Sequence, residues 1–341
     1  MSSQSGKLPS EEANQRFTLP TNLGQWLRTL APLWTLLALG LFFSLTSETF
    51  LRPVNLNNIL AQVSTLAILS TGITFVLITG EIDLSIAALV TMTGVISAYV
   101  YAQLDMPEPI PFIAGVGLAT LMGLISGITS TKFRIPTFMS TLAMSLIASG
   151  LAIYVSQGRI EFNISSWATF LGSGRIGDTG IRTLTVVAAI CLLLGHLVLR
   201  YTRFGRYVYM TGANKSAARL AGVNTDNIVI IALGISGFAA GLAGIVSMGR
   251  LASAQPTVVD SFLIDAIGAV VLGGTSLFGG RGGIPQTVAG LLIYGTLRNG
   301  LDNIPQIDSF LKQFITGVVL LGALIVNVVF AGRSARDKTA V

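Results

Sequence analysis

Residues able to do covalent chemistry are scarce in this sequence. It holds one histidine, His196, and one cysteine, Cys191, both inside the same apolar run. One chain therefore cannot assemble a Cys/His metal site or a disulfide framework. His196 could relay protons only with an acid on a facing helix, and packing is the simpler role for both residues. A membrane enzyme would need a nucleophile, a base and an orienting group near the interface, which is a poor match to this stock. Two stretches imitate phosphate loops. Gly273, Gly274, Thr275 and Ser276, with Gly279, Gly280, Gly282 and Gly283, are glycine-rich, but no Gly-Lys-Ser/Thr follows and Arg281 is the single cation among them. In Gly212-Ala213-Asn214-Lys215-Ser216 no glycine directly precedes the lysine. Neither cradles a nucleotide, and no cofactor is expected. Close helix packing or a re-entrant bend is the better account of the glycines.

Carboxylates beside apolar runs are the next candidates, because an acid in or near hydrocarbon is expensive. Gly80, Glu81, Asp83 and Ser85 form the junction between two such runs. Asp83 and Ser85 are both good N-caps for the following helix, which competes with a transport role. Asp265 lies one turn into a later run, where it either lines a pathway or sits at an interface. Arg203–Val223 forms a basic segment. Asn214 can cap a short helix over Lys215–Ala221 and Gly222 can end it. Ala213, Ala217, Ala218 and Ala221 give that helix a small face, with Arg206, Lys215 and Arg219 as a positive rim. It reads either as a docking element for another protein or as an ordinary basic loop.

The elements that must hold these residues are set by hydropathy. Of 341 residues 52% are hydrophobic and 11% charged, against about a quarter charged in soluble domains. Mean hydropathy is +0.74. Lipid is the solvent for most of such a chain. Ten apolar runs are expected to span: Leu30–Leu45, Ile59–Thr79, Leu84–Ala102, Pro111–Thr131, Pro136–Val155, Leu184–Arg200, Ile228–Met248, Phe262–Leu277, Ile284–Leu297 and Phe310–Phe330. The eighth and ninth are interrupted by Gly and Pro and are expected to be broken or tilted.

Charge sets the orientation. With the N-terminus inside, the inner segments hold 14 of the 21 Lys and Arg and the outer segments hold 7. Cytoplasmic loops carry that excess, so both termini are expected in the cytoplasm. The net charge of +6 is scattered in these loops and forms no continuous basic face, so nucleic acid is not a partner. Met1–Gln25 is polar, lacks a signal-peptide core and reads as a disordered tail. The expected organisation is a tail over 1–28, a membrane domain over 29–331 and a tail over 332–341. Ser156–Arg182 is the long outer loop, and Tyr201–Asn227 the long inner one. Residues 56–155 and 228–331 hold four spans each in opposite senses, an inverted repeat. A faint echo accompanies it: Ile78-Thr79-Gly80-Glu81-Ile82-Asp83-Leu84-Ser85 against Leu272-Gly273-Gly274-Thr275-Ser276-Leu277.

Several of these segments resemble the ribose-type family of sugar permeases of ATP-binding-cassette importers. The inner loop resembles that family's "EAA" loop through Gly205-Arg206, Gly212-Ala213-Asn214 and Ala217-Ala218-Arg219-Leu220-Ala221-Gly222. Thr79–Ser85 resembles its Gly-x-Asp-Leu-Ser signature, with Glu81 where the family usually has Gly. Also similar are Ile135-Pro136-Thr137-Phe138-Met139-Ser140-Thr141-Leu142, Gly273–Gly280, and Asn299-Gly300-Leu301. The likeness runs from about residue 55 to 325. It implies an all-α polytopic protein of the bacterial inner membrane, not itself an enzyme. The inner loop would be a coupling helix inserted into an ATPase subunit, which in this branch is often a tandem fused chain. A periplasmic sugar-binding protein would dock outside, and a second permease, identical or sister, would complete the channel.

Other transport readings stay open. Branched-chain amino acids or nucleosides are cargoes of related branches. An ion-coupled secondary transporter needs acids near the midplane of broken helices, whereas Asp83 and Asp265 lie near the ends of spans.

Overall fold

The computed structural model describes residues 31–177, 180–257, 261–304, 308, 310–319, 321–322 and 325. The expected tails 1–28 and 332–341, and the end of the tenth span, lie outside these. The described residues are helical, with no strand beyond isolated bridges at Glu161–Ala254 and Arg175–Arg182. In chain order the helices are α1 (Ala31–Thr46), α2 (Pro53–Ile78), α3 (Ile86–Ala102), α4 (Ile110–Phe133), α5 (Thr137–Ser156), α6 (Ser166–Ser173), α7 (Thr183–Tyr201), α8 (Arg203–Ala213), α9 (Lys215–Leu220), α10 (Thr225–Leu251), α11 (Ser261–Leu272) and α12 (Ile284–Asp302). A further apolar helix, α13, covers Phe310–Val319.

Five of these, α2, α4, α5, α7 and α10, are long and apolar enough to cross a bilayer. α2 and α10 form the centre: 89% and 72% of their apolar windows are buried, against 22% for α5. α5 turns Leu142, Leu146, Ile147 and Tyr154 outward. Apolar side chains that face away from the protein need lipid as their solvent. The arrangement is that of a multi-pass membrane protein.

Small residues set how closely the central helices approach. A Cβ on Gly123 of α4 would lie 2.3 Å from the Leu233 carbonyl oxygen of α10, and one on Gly237 would lie 2.4 Å from that of Ala119. Backbones touch along this seam because neither helix has a side chain there.

Helices lie on each of the ten expected apolar runs among the described residues, five of them long enough to cross; one run and two loops differ from expectation. The eighth was to run to Leu277, but α11 stops at Leu272, where Gly273 meets a neighbouring backbone and Gly274 adopts φ +106°. Its 12 residues reach about 18 Å, short of a hydrocarbon core of about 30 Å. Gly274, Thr275, Ser276 and Leu277 thus belong to a turn. The loop 156–182, expected outside, contains α6, whose Gly172 packs on the α10 backbone. The loop 201–227, expected inside, is largely helical, as α8 and α9.

The turns that hold the echoing residues 78–85 and 272–277 lie against each other. A Cβ on Gly80 would lie 3.5 Å from the Phe278 carbonyl oxygen, and one on Gly279 would lie 2.9 Å from the Gly80 backbone. The turns that hold these segments meet at one end of the bundle.

Candidate functional site

The corner formed by residues 201–227 is built by local capping. α7 ends at Tyr201, and Thr202 caps α8, its Oγ1 accepting from Gly205 N at 3.0 Å. Gly205 is needed because a Cβ there would lie 2.2 Å from the Leu199 carbonyl oxygen. Along α8, Gly205, Val208 and Thr211 are buried while Arg206, Tyr207 and Met210 are exposed. This three-residue spacing is an amphipathic helix lying on the bundle. Asn214 then takes extended backbone and caps α9, its Oδ1 accepting from Ala217 N at 2.9 Å. Gly222, at φ +83°, leads the chain out. The cap expected at Asn214 is therefore present, and α9 ends one residue before Ala221.

Charge and burial on α9 differ from the expected docking face. Ala218 is 3% exposed and packs in the chain's own core with Val208 and Val223. Lys215 and Arg219 are engaged within the chain. Arg219 donates to Thr225 Oγ1 at 2.8 Å and pairs with Asp226 at 2.6 Å. Lys215 Nζ lies 2.9 Å from Glu81 Oε1. Exposed on the corner remain Arg206, Ala213, Asn214, Ala217, Ala221 and Gly222, together with Leu220 at 91% exposure.

Beneath the corner, four chain segments meet. Gly280 N donates to the Ile78 carbonyl at 2.9 Å, joining the α11–α12 turn to the end of α2. Gly212 of α8 fills the gap between them: a Cβ there would lie 1.8 Å from Ile78 O and 2.6 Å from Gly280 N. Tyr209 donates to the Gly282 carbonyl at 2.8 Å, and burial raises its phenol pKa above the ordinary value, against the pull of Arg200. Glu81 also accepts from Thr137 at the start of α5. Leu84 N donates to Thr141 Oγ1 at 3.1 Å, again on α5. Gly80 turns between α2 and α3 at φ +80°, the left-handed region that glycine enters without strain.

Asp83 is 3% exposed. Its Oδ1 accepts from Ser85 N at 2.8 Å and Ser85 Oγ at 2.6 Å. The carboxylate thus closes a short turn ahead of α3, but no side chain caps the helix itself, so the cap expected of Asp83 or Ser85 is not made. Burial pushes its pKa up, and the Ser85 and Ser236 hydroxyls pull it down by less.

The remaining candidates divide. Gly273 packs on the Gln286 carbonyl of α12. Thr275 Oγ1 accepts from Gly283 N at 3.4 Å, and Ser276 Oγ from Phe278 N at 3.1 Å, within the α11–α12 turn. Asp265 and Asn299 lie at the other end of the bundle. Asp265 meets Arg298 at 3.3 Å, and Asn299 Oδ1 accepts from Asn55 at 2.8 Å. Cys191 is a half-buried free thiol, and His196 contacts the Tyr201 ring edge-on. Among the described residues no cluster of metal ligands occurs. Sequence reasoning missed Thr137, Thr141 and Tyr209 as junction residues. Thr137 and Thr141 sat inside a noted motif, while nothing marked Tyr209. The arrangement is a junction in which a surface corner is bonded to the turn after α2 and to the α11–α12 turn, and through Glu81 to the start of α5.

The described residues form a helical multi-pass membrane protein, and the family match gives its class, a transport subunit. The family profile described as "Branched-chain amino acid transport system / permease component" matches residues 55–324, and the chain belongs to this family. The ribose import permease protein of Escherichia coli (strain K12) is 37% identical over 304 residues, covering 89% of this chain and 94% of its own. That of Bacillus subtilis (strain 168) is 34% identical, covering 88% and 93%. The D-allose transport system permease protein of Escherichia coli (strain K12) is 32% identical, covering 84% and 86%.

Proposed function

We propose that this chain is the permease subunit of an ATP-driven importer that carries a monosaccharide across the bacterial inner membrane. The observation that carries the reading is the α8–α9 corner. Its outer face, led by Leu220, is open, and its inner face is bonded to three helix ends. Force applied to the corner by a docked ATPase would reach α2, α5 and the α11–α12 hairpin together. Alternating access then needs only that ATP-bound and ATP-free partners favour different arrangements of that joint. A periplasmic sugar-binding protein would deliver cargo at the end holding Asp265, and a second permease copy or a sister subunit would complete the channel. Sugar as cargo rests on the relatives named for ribose and D-allose.

Ten crossings with both termini cytoplasmic accompany this proposal. Cysteine labelling tests it simply, because Cys191→Ser removes the one thiol. In that background Leu220→Cys should react only from the cytoplasmic side and Phe162→Cys only from outside. The importer reading is tested by uptake. Cells expressing the chain with its ATPase and binding protein should accumulate labelled sugar in an ATP-dependent, vanadate-sensitive way. Accumulation by the chain alone under a proton or sodium gradient would make it a secondary transporter instead.

A further inference from the structure

At the end of the bundle opposite the junction, a cavity of about 430 Å³ opens between α2, α10, α11 and α12. Its size falls within the range of small-molecule sites, about 300–1,000 Å³. Gln62 of α2 lines it from about 24 Å away from Ile78 along the helix. Gln62 is exposed although Ala61 and Val63 on either side are buried, so an uncharged amide in an apolar helix is turned into open space. Gln255, beyond α10, is exposed to the same cavity.

The opposite wall is fixed. Arg298 Nη1 donates to Asp265 Oδ2 at 3.3 Å and to the Tyr294 hydroxyl at 3.1 Å. With Arg250 and Asp302 the lining carries two positive and two negative side chains, a balance that gives no advantage to a charged ligand. Phe262 supplies an apolar surface. A neutral molecule bearing several hydroxyls suits this lining, since each hydroxyl both donates and accepts. A zwitterion would have to compete with the existing Asp265–Arg298 pair.

We infer that this cavity is a hydroxyl-reading subsite at which the permease itself selects its sugar, with Gln62 and Gln255 as the reading groups and Asp265–Tyr294–Arg298 as the fixed wall. The inference rests on the importer reading above. The binding protein sets a first selection, but that selection is the same for every permease variant. A change in relative uptake between sugars then reports the permease.

The test uses cells expressing the complete transporter, with uptake of labelled D-ribose, D-xylose and D-allose, and of L-leucine as the amino-acid probe. Ribose and xylose differ in the configuration of one hydroxyl. Gln62→Leu and Gln255→Leu should shift a ratio between two sugars about three- to tenfold, the worth of one hydrogen bond. A variant that loses all uptake is replaced by Gln62→Asn or Gln255→Asn, which keeps the amide and retracts it by one carbon. Sugar ratios unchanged within twofold in variants at both positions, whatever the total uptake, overturn the subsite and leave the importer reading standing. An unmodified transporter that carries leucine and no sugar overturns both.

Discussion

Lys215 Nζ sits 2.9 Å from Glu81 Oε1, joining the first residue of α9 to the turn between α2 and α3 across 134 positions of sequence. The pair is partly exposed, 41% for the lysine and 19% for the glutamate, so its worth to stability is about 0–1 kcal/mol. Its value lies in where it attaches. Glu81→Gln and Lys215→Met should each change thermal stability in detergent by less than about 1 kcal/mol while lowering ATP-driven uptake several-fold. The exchange Glu81→Lys with Lys215→Glu should recover part of the uptake. A double-mutant cycle on uptake rates reads the coupling, and strictly additive losses would show that the two residues act separately.

Gly212 is the tightest point of the joint. A methyl group there would have to displace the Ile78 carbonyl and the Gly280 amide, which are bonded partners of each other. Backbone cannot yield as a side chain can. Gly212→Ala should therefore cost at least the usual overpacking penalty of about 1–3 kcal/mol. It should lower the Tm of the purified protein and reduce transport more than either Glu81 or Lys215 variant. Wild-type Tm and uptake in Gly212→Ala would mean that α8 does not seat on the α2 end in the working protein.

The two sides of α9 predict opposite phenotypes. Ala218 is buried, so Ala218→Glu places an unpaired acid in the core and should fail at folding and expression. Leu220 is 91% exposed. Leu220→Asp should express, fold and melt as the parent does, yet lose co-purification with the ATPase and ATP-dependent uptake. Retained ATPase binding in Leu220→Asp would move the docking surface off this corner.

Much of this was legible in sequence because its signals were local. Asn214 as a cap, Gly222 as an exit, and Asp83 with Ser85 at the head of α3 are short-range hydrogen-bond patterns that residue type alone suggests. Apolar run length located the long helices within a few residues. Three kinds of fact were hidden. The inward turn of Ala218 depends on which face of a six-residue helix meets the bundle, and six residues carry too little periodicity to say. The stop of α11 at Leu272 follows from a backbone contact between Gly273 and Gln286, in a stretch whose hydropathy continues to Leu277. The meeting of Gly80, Gly212 and Gly280 is tertiary. The motifs near 80, 137, 212 and 280 look unrelated along the chain because their relation is one of contact.

Asp83 gives a test of whether a buried acid in a transport subunit is structural. Its Oδ1 takes two hydrogen bonds from Ser85, and nothing basic pairs with it at that end of α3. An amide can keep the accepting oxygen and lose the charge. Asp83→Asn should therefore preserve the turn, leave stability within about 1 kcal/mol of the parent and keep most of the uptake. Asp83→Ala leaves the Ser85 amide and hydroxyl without their acceptor in a buried place, at a cost of about 1–3 kcal/mol. Because burial raises the carboxyl's pKa in the folded state, the folded protein holds this proton more firmly than the unfolded chain. Asp83 thus favours folding most at low pH, and this contribution is lost as pH rises from the unfolded carboxylate range through the folded pKa. Removing the charge with Asp83→Asn should flatten that part of the stability profile. If Asn melts like the parent at every pH yet abolishes uptake, the charge itself belongs to the transport cycle and the turn-forming account of Asp83 is incomplete.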